Sequence, residues 1–233
     1  MTGLLAERLH QASDNAIAMW SAVARSRGDV VHEHASFTAV DGRRFRIMVR
    51  HPGVDVEELT ALARARRADG RTVVVEDPFQ VLDLAALGMK AAQLPVMVRE
   101  PAPAPGPTET ELVRTAADLR KAEDIIVNGF ELEEYQPYEP GVTFPPALLE
   151  SADLFLRRDH AGACLTMTHG GVGGVYWVTT LPEHRSKGVG REIMHAVLRH
   201  FQDLPVTLTA SRAGRPLYEK LGFVTLGDSD WWR

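Results

Sequence analysis

Between Val189 and Phe201 the apolar residues Val189, Ile193, Met194, Val197, Leu198 and Phe201 recur at helical spacing, with Arg191, Glu192, His195 and Arg199 facing away. That period predicts an amphipathic helix with one buried stripe. Before it, the apolar run Val175-Tyr-Trp-Val-Thr-Thr-Leu181 reads as a strand, led into by a glycine-rich turn from His169 to Gly174. After it, Val206-Thr-Leu-Thr209 reads as the next strand. A short helix through Leu221, stopped by Gly222, and a strand-like tail then complete the chain. Further upstream, Leu154 to Arg157 and Ala163 to Thr168 are strand candidates joined through Asp159 to Gly162, and a short helix is expected near Ala147 to Ala152.

The first hundred residues follow a similar order. A helix is expected over about Leu4 to Arg25. Ala35 to Val40 and Arg44 to Val49 flank Asp41-Gly42, a hairpin signal. A helix over 55–67, a strand at Val73-Val-Val75 and a helix ending at Leu87-Gly88-Met89 follow. Then comes Arg99-Glu-Pro-Ala-Pro-Ala-Pro-Gly-Pro-Thr108, whose alternating prolines favour an extended, semi-rigid joint and forbid a helix or central strand. The chain is therefore divided into an N-terminal lobe (1–99), a proline-rich linker (100–107) and a C-terminal lobe (108–233). Thr108-Glu-Thr-Glu111 has the form of a capping box, which predicts a helix over about 109–128. An aromatic and acidic loop from Phe130 to Phe144 is expected next.

Leu87-Gly88 and Leu221-Gly222 lie 134 residues apart, and the same shift places Thr72–Val75 on Val206–Thr209 and Glu58 on Glu192 without a gap. This predicts an ancient duplication with a decayed first copy. At the shifted positions Gly188 and Gly190 become Val54 and Val56, and Arg191 becomes Glu57. Branched side chains would fill the first loop, and a carboxylate there would repel an anion.

Composition narrows the class. The 233 residues are 45% apolar and 24% charged, as expected of a globular protein long enough for one large or two modest cores. A net charge of −5 without a dense Lys/Arg stripe predicts no nucleic-acid partner. The single cysteine, Cys164, lies in an apolar strand-like run; it excludes an intramolecular disulfide framework, fits a reducing cytoplasm and reads as core packing. No 18-residue apolar run or signal-peptide pattern is present, so no membrane partner and a cytoplasmic location are expected. The nine scattered histidines form no zinc-ligand spacing, and no metal is expected.

The candidate chemistry is concentrated in Pro182-Glu-His-Arg-Ser-Lys-Gly-Val-Gly-Arg191. Its Arg185-x-x-Gly188-x-Gly190 core can wrap a diphosphate with backbone N–H groups. Glycines allow close approach, and the first helical turn offers unpaired donors and the positive end of a dipole. A nucleotide P-loop is absent because Lys187 precedes Gly188 with no Ser/Thr in register, and Ile193 stands where a Rossmann fingerprint needs its third glycine. Pro216-Leu-Tyr-Glu-Lys-Leu-Gly-Phe223 follows thirty residues on.

Val175 to Arg191 and Val206 to Phe223 resemble the two cofactor motifs of the GCN5-related N-acetyltransferases (GNAT), in the right order and spacing, over about residues 108–233. The resemblance implies a mixed α/β fold in the C-terminal lobe, with a smaller, degenerate copy of it in the N-terminal lobe. It implies acetyl-CoA as cosubstrate, one per chain, and direct transfer of the acetyl group to a primary amine. Val178, Thr179 and Thr180 would offer main-chain groups to the pantetheine arm and acetyl carbonyl. Arg185, Ser186, Lys187, Gly188, Val189, Gly190 and Arg191 would hold the diphosphate. Tyr218 would be the general acid for the departing thiolate. Ser211 stands where the family often has an asparagine on the pantetheine, and bulky Trp177 faces the acceptor cleft or packs on a helix. Glu131, Glu133 and Glu134 are the acceptor-side candidates, with no single base chosen. The oligomeric state is left open, a dimer included. A non-catalytic acyl-CoA-binding module is the alternative.

Overall fold

Eleven strands form one mixed sheet that runs through the whole chain in this computed structural model, which describes residues 3–103, 106–130 and 132–233. Helix α1 (Gly3–Arg27) is followed by β1 (Val30–Glu33), β2 (Phe37–Asp41) and β3 (Phe45–Val49), then α2 (Val56–Ala68), β4 (Val73–Asp77) and β5 (Ala91–Arg99). Past the prolines come β6 (Thr110–Leu112), α3 (Ala116–Gly129), β7 (Asp153–Arg157), β8 (Gly162–His169) and β9 (Val172–Thr180). Helix α4 (Val189–His200), β10 (Val206–Thr209), α5 (Arg215–Lys220) and β11 (Val224–Trp232) complete the chain.

The spatial order is β1-β2-β3-β4-β11-β5-β10-β9-β8-β7-β6. Its centre is an exchange. The last strand of the N-terminal half, β5, lies between β10 and β11, and the last strand of the C-terminal half, β11, lies between β4 and β5. Both insertions are antiparallel to their neighbours, while β3–β4 and β9–β10 are parallel pairs. The six central strands therefore read the same when the two halves are interchanged.

The 134-residue shift explains this symmetry over part of the chain. It places α2 on 190–202 and β5 on 225–233, each within one or two residues of α4 and β11. Gly88 and Gly222 both end their turns in the left-handed conformation, at φ 71° and 87°, where a Cβ would be strained. Upstream of α2 the shift fails: β3 would fall on 179–183, overlapping only the last two residues of β9.

Alternating side chains give the sheet two covered faces. Phe45, Ile47, Val49, Val73 and Val75 pack with Leu59 and Ala63 of α2, and Val175 and Leu208 pack with α4, on one face. Opposite them, Met48, Leu154, Leu165 and Met167 pack beneath α1 and α3. Met97 and Val98, adjacent on β5, point to these opposite faces.

Two local expectations are corrected. Thr108–Glu111 does not open a helix: Thr110–Leu112 pairs with β7, and the cap is Thr115, whose hydroxyl oxygen accepts from Asp118 N–H at 3.1 Å. The segment before Gly88 is only a 3-10 turn over Ala85–Leu87. Strand β5, to which the pattern gave no element, contains Pro95, ordinarily a sign against a central strand. It is tolerated because β11 bulges between Thr225 and Gly227 beside it and β10 stops pairing at Val96.

Because β5 shields one edge each of β10 and β11, a fragment of residues 100–233 would present unpaired strand edges. It is expected to be insoluble or self-associated, as read by sedimentation and circular dichroism. A monomeric fragment with the intact protein's Tm would contradict the structural role assigned to the exchange.

Candidate active site

Strand β9 and the loop after it build the site. Ladder pairing with β8 runs in register to Tyr176, skips Trp177 and Val178, and resumes at Thr179 opposite Ala163. Trp177 takes φ 49°, the left-handed region that a bulky residue seldom adopts. This bulge leaves main-chain groups of Trp177 and Val178 out of register, while the Thr179 hydroxyl donates to Trp177 O at 2.8 Å.

On its other side β9 pairs with β10 at only two positions, Gly173–Val206 and Gly174–Thr207. Both strands continue beyond this point without pairing, so a gap opens between them. The corresponding pair in the N-terminal half, β3–β4, stays in register at four successive positions. Only one of the two halves has a split sheet. The closed end of the split is locked by Asn15 of α1, fully buried, whose amide donates to the carbonyls of Met167, His169 and Val172 at 3.1 Å. Its carbonyl accepts from the Tyr176 hydroxyl at 2.6 Å. Gly174 makes room for it, since a Cβ there would stand 1.9 Å from Asn15 Oδ1.

At the open end lies the 182–191 loop. Ser186 and Gly188 take φ 61° and 88°, and α4 begins at Val189 without a side-chain cap. The first bond onto the helix is Glu192 N–H to Gly188 O. The N–H groups of Lys187, Gly188, Val189, Gly190 and Arg191 have no acceptor among the described residues, so five donors collect at one helix start. Arg185 is exposed and ties the loop down, with Nε on Thr180 O and Nη2 on Gly129 O, both at 3.3 Å. Ser186, Lys187 and Arg191 are exposed around it.

Tyr218 is buried against Phe223 on the α4 face, with its ring centroid 5.8 Å from that of Phe223. Burial pushes its phenol up, so it is protonated at neutral pH. The Ser211 hydroxyl accepts from Gly214 N–H at 3.1 Å and serves the turn into α5. Under the 134-residue shift Tyr218 corresponds to Leu84, fully buried, and Ser211 to Asp77, whose carboxylate accepts from the N–H groups of Phe79, Val81 and Leu82. Cys164 is fully buried in β8, and burial pushes its thiol up.

The acidic loop lies against the N-terminal half. Arg44 Nη2 stands 3.3 Å from Glu134 and 3.6 Å from Glu133, and Arg46 Nη2 is 4.0 Å from Glu134. Glu131 lies outside the described residues. Trp177 meets Phe144 of this loop and Trp20 of α1, at centroid distances of 5.6 and 5.2 Å. Arg46 lies 3.7 Å above the Trp20 ring and bonds Glu76 of β4 on its other side. The structure thus joins Glu133, Glu134 and Trp177 through two arginines and a tryptophan, and separates them from Tyr218, which lies on the other face of the sheet.

Arg46, Glu76, Asn15 and Glu123 escaped the sequence reading. The first two had a signal: a charged residue inside each of the apolar runs Phe45-Arg-Ile-Met-Val49 and Val73-Val-Val-Glu-Asp77. Glu123 is fully buried in α3 and accepts from the N–H groups of Gly141, Thr143 and Phe144.

Residues 157–230 match the family model for the Acetyltransferase (GNAT) domain. No curated protein matches the chain in sequence. Among solved structures, a GCN5-related N-acetyltransferase from Kribbella flavida is similar, at 21% identity and a TM-score of 0.64, with 95% of this chain and 94% of that one covered. A GCN5-related N-acetyltransferase-like protein from Streptococcus suis is 12% identical at a TM-score of 0.52, covering 94% of this chain and 99% of that one. A tandem GNAT protein from the clavulanic acid biosynthesis pathway is 15% identical at a TM-score of 0.51, covering 84% of this chain and 77% of that one. The family match lies within residues 157–230, and the chain as a whole has the mixed α/β fold of the GNAT structures. The chemistry associated with that family is acyl transfer.

Glu123 fixes the loop that carries Phe144 to Trp177. Glu123→Ala leaves three backbone donors without their acceptor and is expected to cost about 3 kcal/mol. Urea denaturation measures this directly.

Proposed function

We propose that the protein is an N-acetyltransferase that moves the acetyl group of acetyl-CoA directly to a primary amine, with one CoA bound per chain. The observation that carries this reading is the pairing of one split sheet with one run of free N–H donors. The β9–β10 ladder stops after two pairs, and the five donors of Lys187 to Arg191 stand in the loop and helix start that follow β9. Diphosphate oxygens are well matched to such donors and to the positive end of α4. The pantetheine arm lies in the gap, against main-chain groups of Val178, Thr179 and Thr180. Lys187 and Arg191 add positive charge, and Arg185 and Ser186 hold the loop in shape.

The N-terminal half supports a stoichiometry of one. Its β3–β4 pair is closed, Val54 and Val56 replace the loop glycines, Glu57 brings a negative charge and Leu84 stands in place of the phenol. We read it as a degenerate copy that keeps the fold and has lost the cofactor site, with lobes bounded at 1–99 and 108–233.

In the transfer the amine nitrogen forms its bond to the thioester carbon while the C–S pair leaves on sulfur. Tyr218 gives the thiolate its proton and regains one from solvent. Backbone donors at the Trp177–Val178 bulge stabilise the carbonyl oxygen as charge builds on it. The carboxylates Glu133 and Glu134 and the Trp177 ring border the acceptor side.

Two variants test the reading. Gly188→Glu puts a side chain at φ 88° and a negative charge beside the diphosphate, and is expected to abolish CoA binding in calorimetry. Tyr218→Phe is expected to lower kcat by about 100-fold while leaving the Kd for acetyl-CoA within twofold. Unchanged turnover in that variant would remove Tyr218 from the mechanism. CoA binding by the wild-type protein without acylation of any amine would favour a non-catalytic binding module instead.

A further inference from the structure

We propose that the acceptor amine is received and deprotonated by Glu76, a residue of the non-functional half, in a pocket between α1 and the split in the sheet. The inference rests on the transferase reading above and names the base and the substrate class for the same site. The pocket is a small cleft of about 30 Å³ that opens to solvent, and it lies on the face opposite α4. Tyr176 lines it from one side of the β9–β10 gap and Thr209 from the other, with Thr207 at the last paired position. Glu76 lines it from β4, with Ser13 and Ala16 from α1. A thioester threaded through the gap from the α4 side therefore emerges here.

Among the described residues Glu76 is the one carboxylate that lines this pocket, whereas Glu133 and Glu134 lie at Arg44 and Glu123 and Asp77 accept from the N–H groups of their own loops. Glu76 is almost fully buried, yet reaches the pocket wall. Arg46 of β3 holds it, and an ionised carboxylate can accept more bonds than this one. The charged and titratable groups facing it are Arg46, Arg233 at the chain end and Tyr176 of β9. Burial raises its carboxyl above the usual range in spite of both arginines, which suits a base that must work near neutral pH.

The pocket has room for one small polar group, which selects an unbranched primary ammonium whose stem runs out toward solvent. Hydroxyls of Ser13, Thr207 and Thr209 line it around the charge, and Ala16 stands at its α1 wall. Glu76 takes one proton from the ammonium, and the freed lone pair forms the C–N bond as the C–S bond breaks. The second nitrogen proton leaves to water, and Glu76 returns its own to solvent.

The test uses the full chain, acetyl-CoA and a panel of n-alkylamines from ethylamine to hexylamine with putrescine, reading thiol release. Glu76→Gln keeps an acceptor for Arg46 and is expected to lower kcat/KM about 100-fold, to remove the acidic limb of its pH profile and to leave the acetyl-CoA Kd within twofold. Ala16→Leu, which breaks no hydrogen bond, fills the pocket and is expected to raise the amine KM at least tenfold at unchanged CoA affinity. A Glu76→Gln enzyme within threefold of wild type, an unaltered amine KM in Ala16→Leu, or a wild type that binds acetyl-CoA but acylates none of the panel would each overturn the proposal. If Glu76→Gln does not fold, the Ala16→Leu result decides. A wild type that fails to bind acetyl-CoA would instead overturn the transferase reading beneath it.

Discussion

The antiparallel pairing of β5 with β11 is the contact on which the rest of the molecule depends. Each strand belongs in sequence to one half and is flanked by the other half's parallel unit. Their ladder continues past Trp232, with reciprocal bonds between Lys90 and Arg233 at 2.8 and 3.0 Å. Backbone bonds of this kind cannot be dropped from one half without exposing edges on both. The two halves are consequently one folding unit, and a site in one is walled by the other.

That arrangement lets the N-terminal half contribute side chains to the wall of the other half's site. Its β3–β4 pair is closed, and β3 and β4 turn Arg46 and Glu76 toward α1. Arg46 joins Glu134, Glu76 and Trp20, three segments widely separated in sequence. A charged cluster this deep is destabilising unless every member is paired. Glu76 of this cluster lines the α1 pocket together with Tyr176 of β9, which connects the cluster with the site across the intervening strands.

Much of the C-terminal half was legible in the chain. The period of Val189 to Phe201, the glycines at 188 and 190 and the spacing to Tyr218 place a strand, a loop and two helices where they are found. The split itself was not legible, because strands 175–181 and 206–209 look alike whether paired or parted. The hydroxyl of Ser211, which stands where the family often has an asparagine, accepts from Gly214 N–H in the turn into α5, a local bond that only coordinates reveal. Strand β5 was concealed by Pro95, and the Thr108–Glu111 capping pattern misplaced a helix start that belongs to Thr115.

The sequence alone determined what local chemistry controls: which segments are helical or extended, where glycine permits a left-handed turn, and which loop can offer donors to an anion. The 134-residue shift also revealed that the halves share a plan, since repeated turns leave repeated glycines. Tertiary structure decided the exchange of β5 and β11, the opening of β9 from β10, and the meeting of Glu76 with Tyr176 across one pocket. The first and last of these join residues about a hundred or more positions apart, and the strands that part are separated by a whole helix. Distant pairs of this kind impose no period and no spacing on a single chain, so nothing in the order of residues could announce them.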